Sequence, residues 1–264
     1  MIGAFDSGLG GLSVLAAIAR VLPRADLVYL ADTAHVPYGD KTDDFIRGRV
    51  LAIGRHLVAA GCTTLVAACN TATAAAVQAL RDDQPGIAVV GIEPGVKPAA
   101  VTSRSRRIAV LATESTASSA RLKHLIDTHA TGAGVFVQVE PCPGWATRVE
   151  MLQLDGPEFA AEVAARIAPL LDAGADRLVL GCTHYAFLAD LLRPLVAGRA
   201  ELVEVADAVA REVVRRAGTA AHGSGRIRLH ATARPERLHA ALPALGLGML
   251  MPRIDGPALL IRHL

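Results

Sequence analysis

Two cysteines occupy matching places in two similar stretches. Cys69 lies in "TLVAACNTAT" (Thr64–Thr73) and Cys182 in "RLVLGCTHYA" (Arg177–Ala186). Each follows an apolar run and precedes a small polar residue. A single thiol there reads as packing, because free cysteine behaves as a small hydrophobe. A repeated one asks for chemistry, and three kinds compete. A redox pair favours Cys-x-x-Cys spacing, whereas these thiols are 113 residues apart. A metal site would draw on Cys182 and His184, but no further pair has ligand spacing. The third is acid–base work at carbon: one thiolate removes a proton from one face and the opposite thiol protonates the other, inverting the centre. A thiol suits this, since its pKa of about 8.5 is lowered by nearby dipoles and charges towards operating pH.

Those thiols need elements to hold them. Apolar runs predict strands at Ile2–Phe5, Leu27–Leu30, Thr64–Ala68, Ala88–Ile92, Ile108–Leu111, Val135–Val139, Arg177–Leu180 and Leu202–Val205, with a weaker one at Ile227–His230. Between them, helical stretches include Leu12–Val21, Asp43–Ala60, Ala72–Asp82 and Phe159–Ala173. Such alternation predicts an α/β fold with parallel sheets covered by helices. Ligands of these sheets bind beyond the carboxyl ends of the strands. Residues there include "DSGLGG" (Asp6–Gly11), "ADTAHVPYGD" (Ala31–Asp40), "CNT" (Cys69–Thr71), "EPGVKP" (Glu93–Pro98), "ATESTASS" (Ala112–Ser119) and "GCTHY" (Gly181–Tyr185).

The cysteine stretches extend into a longer match, Ala60–Ala72 with Ala173–Tyr185. A second echo links Ile2–Ser13 with Ile108–Ser119, at an offset of 106 residues. Two echoes in the same order predict two similar lobes, each presenting a thiol after an equivalent strand. Facing lobes would bring Cys69 and Cys182 to a ligand from opposite sides. Each cysteine is also expected at a helix start, where the helix dipole favours a thiolate.

The chain has 264 residues, 52% hydrophobic and 20% charged, which supports a substantial core and excludes wholesale disorder. Net charge is +2, and no basic block with interleaved aromatics points to nucleic acid. "RSRR" (Arg104–Arg107) reads as a solvated loop before a strand. The sequence opens at Met1 directly on an apolar strand, with neither a basic leader nor a membrane-length apolar run, so a cytoplasmic protein with no membrane partner is expected. Cys62 and Cys142 read as packed thiols.

"FDSGLGGLSV", "ADTAHVPYG", "ACNTAT", "IEPGVKPA" and "GCTHY", in order from Ile2 to about Val214, resemble the glutamate racemases of the aspartate/glutamate racemase superfamily. The resemblance implies a cofactor-independent, metal-free two-base racemase interconverting L- and D-glutamate, supplying D-glutamate for bacterial peptidoglycan, and it admits a homodimer. It implies a first lobe of residues 1–97 with 207–264 and a second of 98–206, the site lying in the cleft between them. Cys69 and Cys182 become the acid/base thiols, the first acting on the D-enantiomer and the second on the L-enantiomer. Asp6 and His184 assist them respectively and help line the site. Ser7, Asn70, Thr71 and Thr183 hold the amino and carboxylate groups, Tyr38 and Gly39 contribute backbone contacts, and Thr116 adds a further contact. Glu150 reads equally as an acidic site residue or a solvated helix glutamate. A related racemase for aspartate or hydantoin, or a non-catalytic binding or regulatory protein on the same fold, are the alternatives.

The chain departs from that pattern in places. Ala186 replaces a proline, Glu204 and Val205 replace an Asp-Ser pair, and residues 246–264 match nothing in it. That last stretch is expected as an extra helix, a dimer contact or a loose tail.

Overall fold

Each of the nine apolar runs forms a strand, with ends within two residues of the expected ones. In the computed structural model, which describes residues 1–264, the chain divides into two units. One is Met1–Ile92 with Ala206–Leu264, the other Glu93–Val205.

The first unit opens with β1 (Ile2–Asp6), α1 (Leu12–Val21), β2 (Leu27–Ala31), α2 (Asp43–Ala59), β3 (Thr64–Ala67), α3 (Asn70–Asp83) and β4 (Ala88–Gly91). The second unit continues with α4 (Val96–Thr102), β5 (Arg107–Ala112), α5 (Glu114–Ser118), α6 (Ala120–His129), β6 (Phe136–Pro141), α7 (Trp145–Glu150), α8 (Pro157–Asp172), β7 (Arg177–Leu180), α9 (Ala189–Val196) and β8 (Glu201–Val203). The chain then completes the first unit with α10 (Ala206–Arg216), β9 (Ile227–Ala231), α11 (Pro235–Ala244) and β10 (Leu259–Leu260).

Both sheets are parallel throughout. Their orders are β10-β9-β2-β1-β3-β4 and β6-β5-β7-β8. A parallel sheet must be covered on both faces, which explains the unbroken apolar strands. In the first unit, Phe5, Val28, Leu30, Leu65 and Ala67 point into one core with Val50, Ile53 and Leu57 of α2 and Leu80 of α3. Helix boundaries follow local chemistry. Thr42 caps α2 by accepting from the Phe45 N–H, with Asp43 and Asp44 in the first turn complementing the helix dipole.

The internal repeat is written into the hydrogen-bond register. Ile2 pairs with Thr64 and Phe5 with Ala67 in one sheet; Ile108 pairs with Arg177 and Leu111 with Leu180 in the other. The offsets of 106 and 113 residues seen in the sequence carry one set of pairs onto the other, residue for residue. Each ladder continues one bond past its strand, from the Ala68 N–H to the Phe5 carbonyl at 2.8 Å and from the Gly181 N–H to the Leu111 carbonyl at 2.7 Å. The next residue is Cys69 in one unit and Cys182 in the other.

Residues 246–264 are neither an extra α-helix nor a loose tail. A 3₁₀ segment (Gly248–Arg253) leads to β10, which pairs with β9 through Leu259↔His230 and Leu260↔Ala231. Arg253 fixes the entry by donating to the carbonyls of Ala19, Ala25 and Gly225. "EPGVKP" is also shorter as a loop than its composition implies, because Val96 already begins α4. No helix is long and apolar enough to cross a membrane.

Candidate active site

In the first unit, β1 ends on Asp6, β2 on Ala31 and β3 just before Ala68 and Cys69, all at one sheet edge. Asp6 is fully buried and accepts from the Ser7 hydroxyl at 3.0 Å and the Gly8 N–H at 3.3 Å. Gly11 makes this arrangement fit. A side chain there would begin 2.7 Å from Asp6 Cβ and 2.8 Å from the Tyr29 hydroxyl. That hydroxyl in turn donates to the Gly8 carbonyl at 2.6 Å and pins the glycine turn.

Cys69 meets the expectation of a helix start. It is the N-cap of α3, and its Sγ accepts from the Ala72 N–H at 3.5 Å. The backbone N–H groups of that first turn place partial positive charge beside the sulfur. Asn70 and Thr71 fill the same turn and are buried. The Asn70 amide is 4% exposed, yet neither its oxygen nor its nitrogen has a hydrogen-bond partner. Burying such a group unpaired costs about 1–3 kcal/mol, so a native structure that keeps one calls for a ligand or another function. Tyr38 and Gly39 lie in a 3₁₀ turn (Tyr38–Asp40) that follows β2. The Tyr38 ring belongs to the same core cluster as Cys69. Burial, reinforced by Asp32, holds its phenol far above the ordinary tyrosine range, so it acts as a hydrogen-bond donor and not as an acid.

The second unit places Cys182 after β7, but the next element is a 3₁₀ segment (Thr183–Leu188) and not an α-helix. No side-chain cap forms there. The charge comes instead from a neighbouring side chain. His184 Nδ1 lies 3.6 Å from Cys182 Sγ, and its Nε2 lies 2.6 Å from Glu150 Oε1. Burial alone would pull the imidazole pKa down, but its hydrogen bonds to Cys182 and Glu150 carry it well above the ordinary histidine value. His184 is thus held between the Cys182 sulfur and the Glu150 carboxyl group, an arrangement that favours its protonated form. Glu150 ends α7 with its side chain 13% exposed, which disposes of the solvated-glutamate alternative. Thr183 and Thr116 are buried in the same unit, and the Thr113 hydroxyl donates to that of Thr116 at 3.1 Å.

The other two cysteines behave as packing residues. Burial pushes the Cys62 thiol up to about 11 and the Cys142 thiol up to about 12. No three His, Cys, Asp or Glu side chains converge as a metal-binding group. Of the departures from the family pattern, Glu204 pairs with Arg193 at 3.0 Å, and Val205 packs where a side chain on Gly95 would collide with it.

Asp32 is the residue that motif reading missed. It is fully buried one position beyond β2 and accepts from Tyr38, Arg49 and Thr232. The signal was present: Asp32 follows its strand much as Asp6 closes β1, with the Asp32 N–H bonded to the Asp6 carbonyl. Arg49 and Thr232 carried no such signal, since helix and strand patterns alone do not reveal their shared partner.

The chain is thus an α/β protein of two units, each carrying a thiol just beyond an equivalent strand. The chain belongs to the Asp/Glu/Hydantoin racemase family, whose pattern matches residues 10–213. It is 45% identical over 248 residues to the glutamate racemase of Pseudomonas aeruginosa, covering 92% of this chain and 93% of that one. With the glutamate racemase of Ralstonia nicotianae it shares 48% identity over 214 residues, covering 81% and 76% respectively. Among solved structures, a glutamate racemase isoform of Bacillus anthracis superposes with a TM-score of 0.86 at 28% identity, covering 100% of this chain and 97% of that one. Escherichia coli glutamate racemase, in complex with L-glutamate and the activator UDP-MurNAc-Ala, gives 0.81 at 27% identity, covering 98% of each.

Proposed function

We propose that this chain racemises glutamate by a two-base mechanism, interconverting the L- and D-enantiomers and so supplying D-glutamate for peptidoglycan. The observation that carries the reading is the pair of buried thiols, Cys69 and Cys182, set by the same strand register in each unit. Membership of the racemase family supports it, as do relatives named glutamate racemases over most of their length.

The reaction requires the two thiols to address opposite faces of one Cα. One, as thiolate, takes the α-proton; the other, as thiol, returns a proton to the opposite face. Cys69 acts on D-glutamate with Asp6 as its helper, and Cys182 acts on L-glutamate with His184. The His184 imidazolium stabilises negative charge on the Cys182 sulfur, and Glu150 holds that ring in place. Proton removal beside a carboxylate builds further negative charge, which fixed donors must meet. Asn70 supplies an unpaired amide for this purpose. Ser7, Thr71, Thr116 and Thr183 supply hydroxyls, and Tyr38 and Gly39 supply backbone groups to the amino acid.

Incubation with L- or D-glutamate in heavy water tests the reading. The expected result is loss of optical rotation with deuterium entering Cα, and Cys69→Ser and Cys182→Ser each losing about 10²–10⁴-fold in racemisation. Exchange with aspartate or a hydantoin but not glutamate would reassign the substrate within the family. No exchange with any of them would remove the catalytic reading.

A further inference from the structure

A chain of polar contacts joins the last residues of the sequence to the turn that carries Tyr38. β10 brings Leu264 against the first unit's core, where its side chain packs with the cluster containing Cys69. The Leu264 main-chain oxygen accepts from Arg49 Nη1 at 2.6 Å. Arg49 turns its two remaining donor edges on Asp32, with Nε to Oδ2 and Nη2 to Oδ1 both at 2.8 Å. Asp32 then accepts from the Tyr38 hydroxyl at 2.6 Å and the Thr232 hydroxyl at 2.8 Å. Asp32 is fully buried and the Arg49 side chain is only 11% exposed, so solvent does little to screen this pair.

We propose that Arg49, seated by the Leu264 backbone, is a positioning residue for the reaction, acting through Asp32 to fix the Tyr38–Gly39 turn against the substrate. The inference rests on the reading of that turn as part of the substrate site. Only a guanidinium presents a planar fork to a carboxylate while sparing a third donor for the Leu264 main-chain oxygen; an ammonium cannot satisfy both in this geometry. The three partners of Asp32 come from α2, from the turn after β2, and from just beyond β9. A carboxylate gripped from three directions sets the height of the Tyr38 ring, and the backbone of Tyr38 and Gly39 follows it. Residues 246–264 thereby become part of the apparatus that shapes the site, through a contact more than 200 residues distant in sequence.

Steady-state racemisation by five full-length or shortened proteins tests this: the parent, Arg49→Lys, Tyr38→Phe, a chain ending at Arg262, and that shortened chain carrying Arg49→Lys. The charge-preserving Arg49→Lys is expected to raise KM for both glutamate enantiomers about 10-fold, with kcat changed less than about 3-fold. Tyr38→Phe keeps the buried ring and removes only the link to Asp32, so KM rises in the same direction. Ending the chain at Arg262 raises KM about 3-fold or more, and adds nothing further in the Arg49→Lys background, because both changes break one contact series. Parent KM values in Arg49→Lys and Tyr38→Phe would overturn the inference. So would independent, multiplying effects of the shortened chain and Arg49→Lys. A parent that exchanges no glutamate proton would instead overturn the functional reading, and the inference with it.

Discussion

The two thiols are activated by different means. In the proposed mechanism Cys69 relies on a helix start and on Asp6, whereas Cys182 relies on the ion pair of His184 with Glu150. A substitution at Glu150 should therefore affect one half of the reaction selectively. Glu150→Gln keeps the shape and one hydrogen bond but removes the charge that helps to raise the His184 pKa. The imidazolium then loses its proton at lower pH, so the alkaline limb of kcat/KM for L-glutamate should move to lower pH. Loss of a charge-assisted bond, worth about 1.5–3 kcal/mol, corresponds to a decrease of about 10–100-fold near neutrality. Exchange measured from the D-enantiomer at Cys69 should suffer less, and an unchanged pH profile would contradict this role. The same raised pKa stabilises the fold below the unfolded value of 6.5, and the contribution is lost as pH rises through the folded value.

Each cysteine depends on the strand that precedes it, and the two strand ends differ in one informative way. Ala68 occupies the first, Gly181 the second. A side chain on Gly181 would begin 2.7 Å from the Leu111 carbonyl oxygen, a backbone atom that cannot turn aside. Gly181→Ala should cost about 1–3 kcal/mol in urea unfolding and displace Cys182, depressing racemisation; Ala68→Gly should leave the first thiol in place. A Gly181→Ala protein as stable and active as the parent would refute the argument. Strands were legible in the sequence because parallel strands buried on both faces are unbroken apolar runs, and Leu12–Val21 matches α1 at both ends. Other elements were less visible. α3 starts at Asn70, two residues before its apolar pattern, because a capping side chain and not hydrophobicity sets the boundary. Short α7 and two-residue β10 are too brief to show a period, yet they deliver Glu150 and Leu264. The thiols and His184 were legible because they follow strands; their partners in distant helices depend on packing that no local pattern encodes.

At the scale of the whole chain, stability should depend on pH through a second histidine with the opposite sign. His230 in β9 is 4% exposed, its Nε2 has no partner, and its Nδ1 lies 3.2 Å from His56 Nε2. Burial above all, then the charges of His56 and Arg228, hold its pKa down at about 4. Unfolding lets it take up a proton below pH 6.5, so its neutral folded form is fully accommodated above that pH. Stability should fall between pH 6.5 and about 4, by on the order of 2–3 kcal/mol, and His230→Phe should flatten that slope in urea melts. An identical slope in the variant would assign the acid sensitivity elsewhere. Connectivity has a consequence of another kind, for the order in which the protein is made. The second unit is one continuous segment and can close its sheet once Val203 leaves the ribosome. The first cannot: Asp32 and Thr232 are 200 residues apart, and β2 keeps an open edge until β9 arrives. At about 5–20 residues per second that wait lasts roughly 10–40 s. During synthesis, then, the nascent chain carries an unpaired apolar edge for the whole time the second unit is being made and until Ala231 follows Val203, and it is at this stage that chaperones have most to protect.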